Sequence, residues 1–326
     1  MRQTITTHTF TLPLCLVIGS ALWLLPEVGN ILLWGGWFVG IITTLLYAEF
    51  NNQESLLRKR SQMISTTVFA LLAVYPHGHC ANWSILAPPL LLCSYYCMIK
   101  TLQSTHPEGY AYYSYTLLIC ASFVLPQALW LIPALIWSQA AHIGSLTPRS
   151  LAAILLGMLT PIVMLSFYHI GIAGRSDLLP LISEHLSECI HLDYTYWDNL
   201  LHSQPSNWSA HDWQFVATTL CLLGISIIST AHFLYTALKD KLRVRTFYNM
   251  LFMTEVALWV ILLLFPQQRE ALLFLLSVNS APFIAHYFTL SRGWMAGLTF
   301  ALCILTFISL IIFNYNTQWI LSLIFS

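Results

Sequence analysis

Apolar residues run along this chain in long, near-continuous blocks, not at the two-residue period of a half-buried strand. The blocks fall near 10–25, 30–50, 64–76, 85–99, 110–125, 127–143, 150–172, 213–236, 246–265, 271–290 and 294–314. Most are long enough for a helix to cross about 30 Å of hydrocarbon, and short polar turns separate them. The pattern predicts an all-α, polytopic integral membrane protein with about eleven transmembrane helices, forming a single transmembrane domain over residues 1–326. The 64–76 block is short for a span, so it tilts, extends through Pro76 or turns back within the membrane. The first block reads as a retained helix and not a signal peptide, because a second block begins within five residues and no small-x-small cleavage site separates them.

One interval breaks the pattern. Residues 173–212 form an insert too polar for lipid, and six of the chain's thirteen acids lie in it: Asp177, Glu184, Glu188, Asp193, Asp198 and Asp212. A helix over about 177–191 is expected there, with Asp177 as N-cap and Pro180 in the first turn, where its missing N–H does no harm. At 100° per residue Leu178, Leu179, Leu181, Ile182, Leu186, Cys189 and Ile190 share one half of the wheel, and the acids and serines share the other. Such a helix lies on the membrane surface or lids a cavity. Tyr194, Tyr196, Trp197, Trp208 and Trp213 suit headgroup level.

Composition agrees with the pattern: 57% of residues are hydrophobic and 8% charged, far too few charges to coat a water-soluble globule. Formal net charge is zero and no basic block exceeds Arg58, Lys59 and Arg60, so a nucleic-acid partner is not expected; membrane lipids are. The basic residues also orient the chain. With the N-terminus in the cytoplasm, eleven of the thirteen Lys and Arg fall on the inner side and only Arg175 and Arg269 outside. That makes the chain multi-pass with its N-terminus in the cytoplasm and the 173–212 insert extracytoplasmic. Six of the eight cysteines sit in apolar blocks, leaving Cys80 and Cys189 as the two that could meet an oxidising compartment.

Candidate chemistry is sparse. Glu255 lies midway along the 246–265 block, where an ionisable group costs several kcal/mol unless it is protonated, paired or facing a wet cavity. About twelve residues separate it from the centre of the 266–270 turn, and about twelve more reach Asn279, so the two are expected at similar depth. Pro282 frees a backbone carbonyl one turn earlier, and a polar pocket of Glu255, Ser277, Asn279 and Ser280 follows as a candidate site. Its bland counterpart is an interhelical hydrogen bond.

On the outer face Glu184, Glu188 and His191 stand at i, i+4 and i+7, a spacing that could hold a cation but equally describes the wet face of an amphipathic helix. His77 and His79 beside Cys80 resemble a soft metal site or proton relay, set against polar residues at a helix break. Glu27 and His169 could join an outer vestibule or simply reach water at the interface. His142, His232 and His286 fall near the opposite face and receive the same bland reading. No metal and no cofactor is assigned.

Residues 51–161 carry a resemblance. The text NNQESLLRKRSQMISTTVFALLAVYP, the blocks ILAPPLLLCSYYCMIKTL and YSYTLLICASFVLPQALWLIPALI, and the Leu-Gly-x-x-x-Pro helix with Leu156, Gly157 and Pro161 are similar to a family of uncharacterised bacterial inner-membrane proteins. The resemblance implies a polytopic membrane protein and transfers no catalytic residue.

Three classes of function follow. A component or partner in cell-envelope assembly, binding an envelope protein, comes first because so few charged residues converge. An envelope enzyme acting on a lipid-linked glycan would use the outer acids as general base, but the first outer loop, near 26–30, is short for that class. A transporter or flippase would use the intramembrane polar site.

Overall fold

The structure is a computed structural model, and the residues it describes are 10–24, 28–59, 61–75, 79, 82–102, 104–168, 187, 189–190, 195–202, 208–291 and 293–324. It is all-helical, 88% helix, with no strand among the described residues. In chain order the α-helices are α1 (Thr11–Leu24), α2 (Ile31–Glu54), α3 (Met63–Val74), α4 (Ala87–Lys100), α5 (Pro107–Val124), α6 (Ile132–Ser138), α7 (Pro148–Phe167), α8 (Thr195–His202), α9 (Ala210–Thr236), α10 (Leu242–Leu264), α11 (Arg269–Leu290) and α12 (Trp294–Ile324).

Among the described residues, six stretches are long and apolar enough to cross a membrane: Ile31–Glu54, Pro148–Phe167, Ala210–Lys239, Leu242–Leu264, Pro266–Leu290 and Ala296–Asn316. The helices Thr11–Leu24 and Met63–Val74 are apolar but shorter. The 127–143 block is not one regular α-helix: a 3-10 stretch at Pro126–Leu131, helix α6 and a π-helical turn at Gln139–Ile143 follow one another without a break. Pro126 and Pro133 withhold two backbone donors in this stretch, which disfavours one regular helix. Gly144, at φ 69°, ends it in the left-handed region that glycine enters freely. Of the expected surface helix at 177–191, only Ser187, Cys189 and Ile190 are described; the rest lies outside the described residues.

Helix starts follow local chemistry. The Asn30 side chain accepts from the Leu32 N–H at 3.0 Å and opens α2. Capping boxes open α7 (Thr147 with Ser150) and α9 (Ser209 with Asp212), satisfying backbone donors that the first turn leaves orphaned.

The chain divides into two compact units. The first comprises Met1–Asn82, Tyr194–Val244 and Pro266–Ser326, and the second Trp83–Asp193 and Arg245–Phe265. In the first unit α11 lies at the centre, packed on α3 and α9, while α3 also meets α1 and α2. Every residue of α11 from Leu272 to Thr289 except Tyr287 is buried. Helix α3 is similarly enclosed, and its twelve residues rise only about 18 Å. Its last carbonyls are satisfied by side chains: His79 Nε2 meets Leu72 O at 2.9 Å, and Asn314 Nδ2 donates to Val74 O at 2.7 Å. A short helix can thus end inside the protein without stranding polar backbone.

In the second unit α5 packs against α4 and α7. The contact with α7 is close: a Cβ at Gly157 would stand 2.5 Å from the Tyr112 carbonyl oxygen. Ser94 and Ser114 hydroxyls meet at 3.0 Å between α4 and α5, and Tyr112 donates to Thr160 at 3.0 Å. These are the small-residue contacts and hydroxyl bonds by which apolar helices associate without a hydrophobic difference from lipid.

Candidate functional site

Polar chemistry in the first unit gathers at the two ends of α11. Arg269 and His286 are seventeen residues apart on that helix, so about 25 Å of rise separates the clusters they anchor. The C-terminal cluster is built on Asp240, in the turn between α9 and α10. Arg58, from the segment that follows α2, pairs with Asp240 through Nε and donates from Nη2 to Thr236 O at 3.0 Å. On the other carboxylate oxygen, His286 Nε2 stands at 3.2 Å.

Both the Asp240 and the His286 side chains are essentially inaccessible, at 1% and 0%. Burial alone would raise the Asp240 carboxyl. The hydrogen bonds and positive charge that His286 and Arg58 bring outweigh it, so the group lies below the usual carboxylate range. The His232 ring packs at 5.9 Å from that of His286, and Phe233 meets the same imidazole edge-on at 5.5 Å. A second pair, Arg243 Nε to Glu54 at 2.7 Å, ties the start of α10 to the end of α2.

This cluster borders two cavities. One, of about 630 Å³, is lined by Arg58, Lys59, Lys239, Lys241 and Asp240 together with Asn51 and its neighbours. The other, about 460 Å³, shares Arg58, Lys59 and Lys239 and adds His232, Thr236 and Ser291. Cations therefore outnumber carboxylates four to one around the larger space.

The cluster at the other end of α11 is a connected network. Arg269 Nη1 donates to Asp212 at 3.0 Å, and Nη2 lies 2.6 Å from His211 Nδ1. His211 Nε2 meets Glu270 at 2.8 Å, and the Tyr196 hydroxyl donates to Asp212 at 3.0 Å. The guanidinium lies over the Tyr196 ring at 4.4 Å. Burial pushes the Tyr196 hydroxyl up from its ordinary value. With a guanidinium on Nδ1 and a carboxylate on Nε2, both nitrogens of the His211 ring are engaged, which fixes its orientation.

The residues singled out in the sequence are placed as follows. Ser277, Asn279 and Ser280 are buried on α11 in the first unit, with Asn279 at 2%. Glu255 is buried at 3% on α10, in the second unit. His79 is buried, stacked on Trp23 at 3.9 Å while its Nε2 holds the α3 carbonyl, a structural role. Glu27, His77, His169, Glu184, Glu188 and His191 lie outside the described residues, as does Cys80. Cys189 Sγ meets Pro126 O at 3.3 Å.

Sequence reasoning treated Arg58, Lys59, Lys239 and Lys241 as markers of orientation only, and did not single out Asp240. The signal available was a lone acid between two lysines, Lys239-Asp240-Lys241, in a strongly basic set of loops. His232 and His286 were placed on one face, and they do meet.

Comparisons with protein-family models, with curated proteins and with solved structures find no match.

Proposed function

We propose that the chain is a multi-pass protein of the bacterial inner membrane, N-terminus in the cytoplasm and about eleven crossings, that serves cell-envelope assembly as a carrier or flippase of an amphiphilic precursor. The resemblance over residues 51–161 points to the same membrane. The observation that carries the reading is α11: a helix enclosed by protein along nearly its whole length, with Ser277, Asn279 and Ser280 at mid-depth and an ionic cluster at each end. Polar residues inside a membrane either bond helices together or line a path for a polar ligand, and here they stand between two ionic clusters on one enclosed helix. The separation of the clusters, about 25 Å, is close to the hydrocarbon thickness of a bilayer.

The ionic contacts of the first unit support the proposed alternation of sides. Arg58 with Asp240, Arg243 with Glu54 and His286 with Asp240 join residues assigned to the cytoplasmic side; Arg269 with Asp212 and His211 with Glu270 join residues assigned outside. A reporter enzyme fused after Ser203 should be active only outside the cytoplasm, and activity confined to the cytosol defeats the orientation.

The carrier reading is tested by reconstituting the protein in vesicles with a fluorescent anionic lipid and measuring the fraction reached by an impermeant quencher over time. Asn279→Leu and Glu255→Gln should each slow transbilayer movement at least tenfold at normal protein abundance. Wild-type rates in both variants would leave a non-catalytic partner of an envelope complex as the better description. A second reading is an enzyme acting on a lipid-linked glycan, in which Glu270, an outer carboxylate about half exposed beside His211, serves as general base. Glu270→Gln abolishing envelope function while vesicle transport persists would select it.

A further inference from the structure

We propose that the basic concavity around Arg58, Lys59, Lys239 and Lys241 is a binding site for a phosphate-bearing head group, a phosphomonoester or diphosphate. The inference extends the carrier reading by naming the charged end of its substrate, and rests on that reading for the ligand's fate but not for its binding.

Three observations support it. The first is convergence from distant sequence: Arg58 and Lys59 follow α2, Lys239 and Lys241 flank the turn between α9 and α10, and three of the four line both cavities. Positive charges gathered from elements some 180 residues apart raise the local potential of this space and attract an anion.

The second is the behaviour of the one carboxylate present. Asp240 is committed to Arg58 and His286 and has a side chain only 1% exposed, so it holds Arg58 in place without neutralising the lysines. Arg58 is thereby fixed by its Nε and by the Thr236 carbonyl, and Lys239 and Lys241 are exposed and able to close on a ligand. A fixed guanidinium with exposed ammonium groups matches a tetrahedral dianion better than a single planar carboxylate, which one fork would satisfy.

The third is size and lining. A space of about 630 Å³ lies within the range of small-molecule sites, and Leu57 and Val244 at its wall offer apolar contact beside the cations. Leu290 plays that part in the adjoining space. Charge with adjacent apolar surface suits the phosphate end of an amphiphile.

The test is equilibrium binding to the purified full-length protein in a non-ionic detergent, read by intrinsic tryptophan fluorescence and by calorimetry. Dioctanoyl phosphatidic acid, inorganic pyrophosphate and dioctanoyl phosphatidylcholine are titrated separately. Saturable binding of phosphatidic acid, at least tenfold weaker in Lys59→Glu/Lys239→Glu and unchanged in Lys100→Glu, is the expected result and assigns a lipid source. Equal binding of pyrophosphate with the same dependence on the lysines supports the site with a soluble source. Absence of saturable binding by both phosphates, binding of phosphatidylcholine as tight as that of phosphatidic acid, or an equal loss in Lys100→Glu overturns the proposal. Should the double reversal not give monodisperse protein, Lys239→Ala and Lys241→Ala truncate exposed side chains and should each weaken binding about threefold; unchanged affinity in both is a negative. Binding that survives while transport fails separates this site from the carrier reading.

Discussion

The Tyr47 hydroxyl on α2 donates to the Val278 carbonyl on α11 at 3.1 Å. That carbonyl is the one Pro282 leaves unpaired, because proline has no N–H to return to the residue four earlier. A related arrangement appears in the second unit, where Thr116 Oγ1 shares its one proton between Tyr112 O of its own helix at 2.8 Å and Gly157 O, the carbonyl orphaned by Pro161, at 3.1 Å. Both helices carry an interior proline, and in both a hydroxyl from the neighbouring helix completes the ladder. Tyr47→Phe should therefore cost about 1–2 kcal/mol of stability. In a Pro282→Ala background, where the backbone bond is restored, the loss should shrink by at least half. Thermal unfolding of the four variants in detergent measures the coupling, and a cost independent of residue 282 would refute this account.

Gly157 is the tighter constraint on its helix pair. An added Cβ would stand 2.5 Å from Tyr112 O, and a backbone atom cannot yield as a side-chain tip can. Gly157→Ala should destabilise by about 1–3 kcal/mol. Thr116→Val, which leaves the space but removes the hydroxyl, should cost about 1 kcal/mol. Unfolding midpoints followed by circular dichroism would show the order reversed if packing mattered less than the hydrogen bond.

Asp240 sets an acid limit. Its carboxyl is lowered in the folded protein, so its contribution is fully present above the unfolded value of about 3.9 and is lost as pH falls through the folded value. Asp240→Asn should cost about 1–3 kcal/mol at pH 7, with Arg58's 32% side-chain exposure keeping the penalty below that of a wholly buried pair. The variant should also lose part of the wild-type decline in melting temperature as pH falls below about 4. Parallel pH curves for the two proteins would exclude this role.

Arg269 meets Asp212 and His211 with two different nitrogens while lying over Tyr196. An ammonium cannot reproduce that fork and stacking. Arg269→Lys is expected to lose nearly as much stability as Arg269→Gln, about 1–2 kcal/mol, in chemical or thermal unfolding. Full rescue by lysine would reduce the contact to a simple charge interaction.

Much was determined by the sequence alone. Apolar block length dictates the helices because lipid and protein interior both require every backbone polar group to be paired locally, and that requirement is read from consecutive residues. Pro282 announced a free carbonyl, and the 64–76 block announced a short helix, on the same local grounds. That His232 and His286 fall near one face followed from helix length and side; that their rings meet did not.

What the tertiary structure decided is which distant residues complete one another. Nothing local in residues 55–60 or 237–241 pairs Arg58 with Asp240, which are 182 positions apart, and no periodicity selects Tyr47 for Val278 across 231. A lysine that marks the cytoplasmic side and one that lines a cavity look identical in a linear chain. The distinction arises when helices fold back and bring several such charges around one space, because Coulomb interactions depend on distance through space and not along the chain.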